Sequence, residues 1–309
     1  MKVYNLNTKS NFNQQNLCIT IGNFDGLHIG HQSVISKLIE EAKKSKLQAT
    51  IMSFTPHPKI FFSKSTSLFN INTKHEKLNI LQDMGIDIYV DFEFNNELAN
   101  LSANDFIIKI IIKKLNVKKI VIGSDFKFGK ERKGNLEKLR ELSSTLDFDL
   151  VVIDILNIKD TEKKFSSSHI RDLITKGVFD NVSQMLGRNW SMVGKVIKGD
   201  EKARKINFPT ANIKPDNKIL PKKGVYCVKA SVDSKVYKAI SNFGYRPTVN
   251  GSVLLLETHL FEFNHDIYGK ELTVEFLAFI RAEKKFDNFE ELTKQIQKDI
   301  KTAKNYHQI

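Results

Sequence analysis

Cysteine is nearly absent: 309 residues hold only Cys18 and Cys227. Both sit inside apolar runs, "LCITIG" and "GVYCVKA", so they read as small core residues rather than a disulfide or a metal pair. Long hydrophobic runs are missing too. The nearest approach, "FIIKIIIKKL", is short and broken by lysines, which excludes a bilayer-spanning segment. The start, "MKVYNLNTKSNFNQQ", lacks the apolar core of a secretion signal. Low-complexity and repeated segments are also lacking, and the expected compartment is the cytoplasm. Arginine is scarce at seven residues, so the net charge of +13 comes from lysine. Those lysines are spread along the chain without a dense basic block. That pattern fits a solvated surface better than a nucleic-acid or lipid-binding face. The 41% hydrophobic content is enough for real cores, and the length suits two domains of ordinary size.

From residue 17 to about 155, buried-strand runs alternate with helical-period segments. "LCITIGNF", "LQATIMSF", "IDIYVDF", "KKIVIG" and "DLVVIDI" are the strands. Helices are expected from about Gln32, with Val34, Ile35, Leu38, Ile39 and Ala42 on one stripe, near "KHEKLNILQDM", after Ser102 with Asp105 as a capping box, and at "NLEKLRELSST". This alternation predicts an α/β domain, a parallel sheet with helices on both faces. Two short helices, at "SHIRDLITKG" and "FDNVSQMLG", close the first half. After Trp190 come closely spaced strands without intervening helices: "WSMVGKVIKG", "GVYCVKASVD", "KVYKAISNFG", "LLLETHLFEF" and "ELTVEFLAFIR". They predict an antiparallel β-barrel, followed by a last helix over about Asn288–Lys304 with Phe289, Leu292, Ile296 and Ile300 on one face. The expected division is 1–186 and 187–309.

The stretch "GNFDGLHIGHQ" lies where the first buried strand turns into a helix. Ligands of open parallel sheets bind at that place, where helix N-termini present free N–H groups. Gly22, Gly26 and Gly30 allow the backbone close to a ligand. His28 and His31, three apart, share a helical face and supply two imidazoles to the charge that builds on a transferring phosphoryl group. Zinc is the competing reading, but no cysteine or carboxylate stands at helpful spacing.

"GNFDGLHIGH" resembles the HxGH signature of the nucleotidyltransferase superfamily in the form found in prokaryotic FAD synthetases. Three further stretches carry the resemblance: "FTPHP" (54–58), "IGSDFKFGKERKG" (122–134) and "SSSHIR" (166–171). The last usually reads SSTxIR, so Ser168 stands for a threonine and keeps the hydroxyl. The resemblance implies that Gly22, Asn23, Phe24, Asp25 and Gly30 bind the nucleotide. It implies that Ser167, Ser168 and Arg171 hold its phosphates, a bidentate task suited to a guanidinium. His57, Asp125, Phe126 and Phe128 would line a flavin ring. Read alone, "DFKFG" is equally a strand end with buried aromatics, and His57 between two prolines a rigid turn.

The second half resembles the riboflavin kinase domain. Its marker is "FPTANI" (208–213), whose Thr210 and Asn212 imply an Mg2+–ATP site built from a hydroxyl and an amide oxygen. Upstream, "GKVIKGDEKARKINFPTAN", with Lys195 as a nucleotide contact, departs from the family pattern at Ala203 and Asn207, where glycines are usual. "SNFGYRPTV" places Arg246 at the flavin, and "LETHLFEFNHDIYGKEL" places Glu257 as the general base. By itself, Glu257 alternating with Leu256 and Thr258 reads as a solvent-facing strand residue.

Together the resemblances imply a bifunctional riboflavin kinase/FAD synthetase. It would take riboflavin, FMN and ATP to FAD with Mg2+, without nucleic-acid or membrane partners, in an oligomeric state the sequence leaves open. The two departures keep open that only one domain is active. A basic RNA-binding protein is the alternative from another class, although the barrel shows no aromatic-basic RNA signature.

Overall fold

A computed structural model of the chain describes residues 1–64, 69–154, 165–198, 208–248 and 251–309, the side chains at 247, 248 and 251 excepted. The chain folds as two compact units, Met1–Ser166 and Ser167–Ile309.

The first unit runs β1 (Lys2–Leu6), β2 (Leu17–Ile21), α1 (Ile29–Lys44), β3 (Gln48–Thr55), α2 (Pro58–Ser63), α3 (Lys74–Asp83), β4 (Ile88–Glu93) and α4 (Asn96–Ala99). Then α5 (Ala103–Asp105) continues into a π-type helix, Phe106–Lys114, before β5 (Val117–Gly123), α6 (Leu136–Thr145) and β6 (Asp149–Ile153). The strands form one parallel sheet in the order β1-β4-β3-β2-β5-β6. All five residues of β2 are buried. Leu17, Ile19 and Ile21 face a core with Ile107, Ile110 and Leu139, while Cys18 faces another with Ile35, Leu38 and Leu81. Both sheet faces are therefore covered, and the continuous apolar strands follow from that. From β2 the chain crosses to β3 on one side, while β5 pairs on the other. The carboxyl ends of β2 and β5 thus border the crevice where such sheets bind ligands.

Three local expectations need revision. Helix α1 starts at Ile29, one turn before Gln32, because His28 caps it. Ser102 does cap its helix through the Asp105 N–H at 3.0 Å, but the Asp105 carboxylate accepts the Ser102 hydroxyl. The complete capping box belongs to Thr73 and Glu76 instead. The sequence reading also omitted β1, an edge strand with mostly exposed residues that gains its place by parallel pairing with β4.

The second unit begins with α7 (Ser167–Lys176) and α8 (Phe179–Leu186), which the sequence reading grouped with the first domain. Packing explains the difference. Phe179 of α8 lies 5.6 Å from Trp190 and 4.9 Å from Phe276, centroid to centroid, inside the barrel's aromatic core. Then come β7 (Ser191–Lys195), β8 (Ala211–Ile213), β9 (Gly224–Val232), β10 (Lys235–Thr248), β11 (Gly251–Leu260), β12 (Glu271–Ala282) and α9 (Phe289–His307). All pairings are antiparallel, in the order β7-β12-β9-β10-β11-β8. The Ile197–Asn212 bridge, with Ile197 N–H donating to Asn212 O at 2.8 Å, links the two ends into a nearly closed barrel. The short β8 escaped the sequence reading because three residues carry too little periodicity.

Phe276 is fully buried and touches Phe179, Trp190 and Tyr226. Phe276→Ala should cost about 3–5 kcal/mol through lost burial and the cavity left behind. Denaturant unfolding of the variant beside Phe276→Leu checks this, the leucine being the milder loss.

Candidate active sites

The loop leaving β2 is held in an unusual backbone path. Gly26 takes φ +82°, and a Cβ there would lie 2.9 Å from the Ile71 side chain, so glycine is required. Phe24 and Leu27 also have positive φ, +47° and +46°, at a cost of roughly 1 kcal/mol or more each. Burial of both side chains offsets that cost. The Asp25 carboxylate accepts the Ile71 N–H at 2.9 and 3.1 Å, and Gln32 donates to the Leu27 carbonyl at 2.7 Å.

At the loop's end His28 is the N-cap of α1, its Nδ1 accepting the His31 N–H at 3.2 Å. Because Nδ1 is an acceptor, the neutral ring carries its proton on Nε2, a donor beside the helix N-terminus. The two imidazoles stack with centroids 3.6 Å apart, 16° from parallel. Burial pushes the His28 pKa down to about 4, with the Asp125 carboxylate pulling the other way. Burial, then His28 and Lys77, hold His31 well below the ordinary value. Asn23 Oδ1 and His31 Nδ1 are buried and make no hydrogen bond among the described residues.

In the barrel, antiparallel register aligns Asn212 of β8, Glu257 of β11 and Asn242 of β10, then Val225 of β9 and Arg281 of β12. Directly paired residues share a face. Four of these five line one cavity of about 280 Å3, with Thr210 and Arg246. Glu257 is only 8% exposed, and its neighbours Leu256 and Thr258 are fully buried, so the solvent-facing reading fails. The Glu257 carboxylate is ion-paired with Arg246. Buried Asn212 keeps Oδ1 without a partner among the described residues, while its amide donates to the Thr210 carbonyl at 3.4 Å. Gly244 leaves room for Glu283, whose carboxylate occupies the space a Cβ would take. A hydroxyl, an orphaned amide oxygen, a buried carboxylate and apolar walls suit a phosphorylated cofactor beside a flat aromatic substrate.

A family model described as FAD synthetase matches residues 10–169, and one described as riboflavin kinase matches residues 186–307. A Haemophilus influenzae protein named bifunctional riboflavin kinase/FMN adenylyltransferase is 36% identical, covering 94% of each chain. A Bacillus subtilis protein of the same name is 36% identical, covering 93% of this chain and 92% of its own. The chain belongs to the bifunctional riboflavin kinase/FMN adenylyltransferase family. Among solved structures, a Streptococcus pneumoniae protein described as a macrolide-efflux protein superposes with a TM-score of 0.86 over 99% of both chains, at 29% identity.

Against that family, the residues singled out in the sequence fall into groups. Gly22 to Gly30 and both histidines stand together at the β2 exit. Asp125 and Phe126 follow β5 at the neighbouring exit, and Asp125 acts on His28 electrostatically. Phe128 is a core residue, 6% exposed and stacked 5.4 Å beneath Phe126, so it supports that ring rather than forming a wall itself. His57 caps α2, accepting the Lys59 N–H at 3.1 Å, with its ring edge-on to Phe69. Ser167 and Ser168 open α7 in the second unit, where Arg171 is buried. Lys195 ends β7, exposed and paired in register with Glu271. Ala203 and Asn207 lie outside the described residues. Sequence reasoning missed Asn242, Arg281 and Phe286 in the kinase cavity. Of the α9 stripe, Leu292, Ile296 and Ile300 line that cavity, while Phe289 is 56% exposed.

His28 ties fold stability to pH. Its folded pKa lies below the unfolded value of 6.5, so the unfolded chain binds the proton first as pH falls. Stability is full above that value and is lost toward about 4. Lowering the pH from 7 to 5 should cost on the order of 2 kcal/mol through His28 alone. Urea unfolding at both pH values checks it: His28→Ala should show a correspondingly flatter pH dependence than the parent.

Proposed function

We propose that residues 187–309 phosphorylate riboflavin and residues 1–186 adenylylate the resulting FMN, with the residues above in defined roles. The chain is a bifunctional flavin-cofactor enzyme that uses ATP in both steps. In the first step Glu257 accepts the proton of the riboflavin 5′-hydroxyl as its oxygen attacks the γ-phosphorus of ATP and the bond to ADP breaks. Arg246 orients the Glu257 carboxylate through their ion pair. The observation that carries this reading is the aligned row Asn212–Glu257–Asn242, with an Asn212 oxygen that has no partner among the described residues. Thr210 and Asn212 fit Mg2+, which would supply charge neutralisation of the ATP polyphosphate.

In the second step an FMN phosphate oxygen attacks the α-phosphorus of another ATP, pyrophosphate leaves, and FAD forms. His28, neutral with its proton on Nε2, donates a hydrogen bond to the charge growing on that phosphate, and the N-terminus of α1 adds its dipole. His31, stacked on His28, holds that ring in place. Ser167, Ser168 and Arg171 are assigned to phosphate binding on their motif alone, as Lys195 is to the nucleotide. Cys18 and Cys227, both unpaired and buried, suit a reducing compartment, which we take to be the cytoplasm. The efflux description of the Streptococcus pneumoniae structure finds no counterpart here: none of the described helices is long and apolar enough to cross a membrane.

Incubation with riboflavin, ATP and Mg2+, with the flavins resolved over time, tests the division of labour. His28→Ala should accumulate FMN, with FAD formation down about 100-fold or more and riboflavin phosphorylation near the parent rate. Glu257→Gln should fail on riboflavin yet convert added FMN to FAD. If both activities fell together in either folded variant, the two-site assignment would be wrong.

A further inference from the structure

The loop carrying Asn23 and the two histidines rests on a side chain that no motif of the adenylyl-transfer site includes. Lys77, on α3, turns its ammonium inward and donates to the Asn23 carbonyl at 2.8 Å. The Ser53 hydroxyl of β3 donates to the same carbonyl at 3.2 Å and lies 3.5 Å from the ammonium. Three elements, the β2 exit, β3 and α3, therefore meet on one peptide oxygen.

That peptide matters for what it presents on its other side. A trans peptide points its C=O and N–H in opposite directions. Anchoring the Asn23 carbonyl turns the Phe24 N–H the other way, just before the left-handed Phe24 backbone at φ +47°. The Asn23 side chain on the same peptide carries the buried, unpartnered Oδ1. The ammonium is also a neighbouring positive charge for His31. Groups surrounding this pair are His28 on the α1 cap, Asp125 after β5, Asp25 in the loop, Asp91 of β4 and Lys74 of α3. Lys74, the other cation acting on this group, is paired with Asp91 and with Asn5 at 3.2 Å.

We propose that Lys77 is a positioning residue for adenylyl transfer, acting through the Asn23 peptide and through the charge it places beside His31. This inference rests on the reading of the β2 exit as the adenylyl-transfer site. A buried ammonium with carboxylates on two sides is a fixed charge: its burial lowers its own pKa, and Asp25 and Asp91 hold it up. Removing it relaxes the peptide and raises the pKa of His31. The acid limb of FAD formation then moves to higher pH, since neutral His31 is the working form.

The test compares parent, Lys77→Met and Lys77→Arg for FAD formation from FMN and ATP across pH 4–9, with urea unfolding of each variant as the control for folding. Lys77→Met should lose about tenfold to 100-fold in kcat, with KM values within about threefold, and its acid limb should move upward. Lys77→Arg, which keeps the charge, should retain the parent limb and recover part of kcat. A Lys77→Met rate near the parent's, or a lower rate with an unmoved limb in a variant that unfolds like the parent, overturns the proposal. Should Lys77→Met not fold, Lys77→Arg decides: a shifted limb there also overturns it. A parent enzyme that makes no FAD would sink the site assignment itself, a result separate from any of these.

Discussion

One hydrogen bond organises the first site: the His31 N–H donates to His28 Nδ1. It caps α1, so the helix can begin one residue after the loop and point its remaining N–H groups at the crevice. It occupies the only nitrogen of His28 that faces the helix, so the neutral ring presents Nε2–H outward. It also brings the two rings into a stack, and burial holds both neutral at ordinary pH. Neutral imidazoles are the useful state here. A donor without charge stabilises the charge developing in the transition state without binding the ground-state triphosphate equally tightly, and only the difference accelerates the reaction.

The barrel reaches its chemistry by a different route. The surroundings of Glu257 come from register. Pairing Glu257 with Asn212 on one side and Asn242 on the other puts a carboxylate between two amides, on the face that ends at Arg281. A slip of one residue would bring Thr258 to that face and turn Glu257 to the other. The bidentate grip of Arg281 on Asp299, 2.9 Å from Nε to both oxygens, ties the end of that row to α9. The helix that lines the cavity is thereby fixed to a strand whose residues also line it.

These two routes explain what could be read from the chain alone. The strand–helix alternation, the loop at residues 22–31 and the pairing of His28 with His31 are local, and local spacing shows them. Phe128 misled because a ring beside a motif looks the same in sequence whether it faces a ligand or a core; only the Phe106 and Phe126 contacts separate the cases. Glu257 misled in the opposite direction. Alternation assumes one wet face, but Leu255, Leu256, Glu257 and Thr258 of β11 are all buried, so both faces of that stretch are covered. Phe276 and Phe179 show why α7 and α8 group with the barrel by packing although they carry a motif of the adenylyl-transfer half. Contacts across about a hundred residues leave no trace in composition.

Charge shows the same divide. The excess of thirteen positive charges pointed to a solvated lysine surface, and most lysines are exposed. The cations that matter are few and enclosed by carboxylates: Lys77 between Asp25 and Asp91, Arg246 on Glu257, Arg281 on Asp299. Each has its field shaped by a carboxylate set against it. An enzyme handling two triphosphates needs positive charge at defined atoms, and surface lysines, hydrated and mobile, cannot supply it there. Net charge is a sum over the surface, while the catalytic demand is met by position.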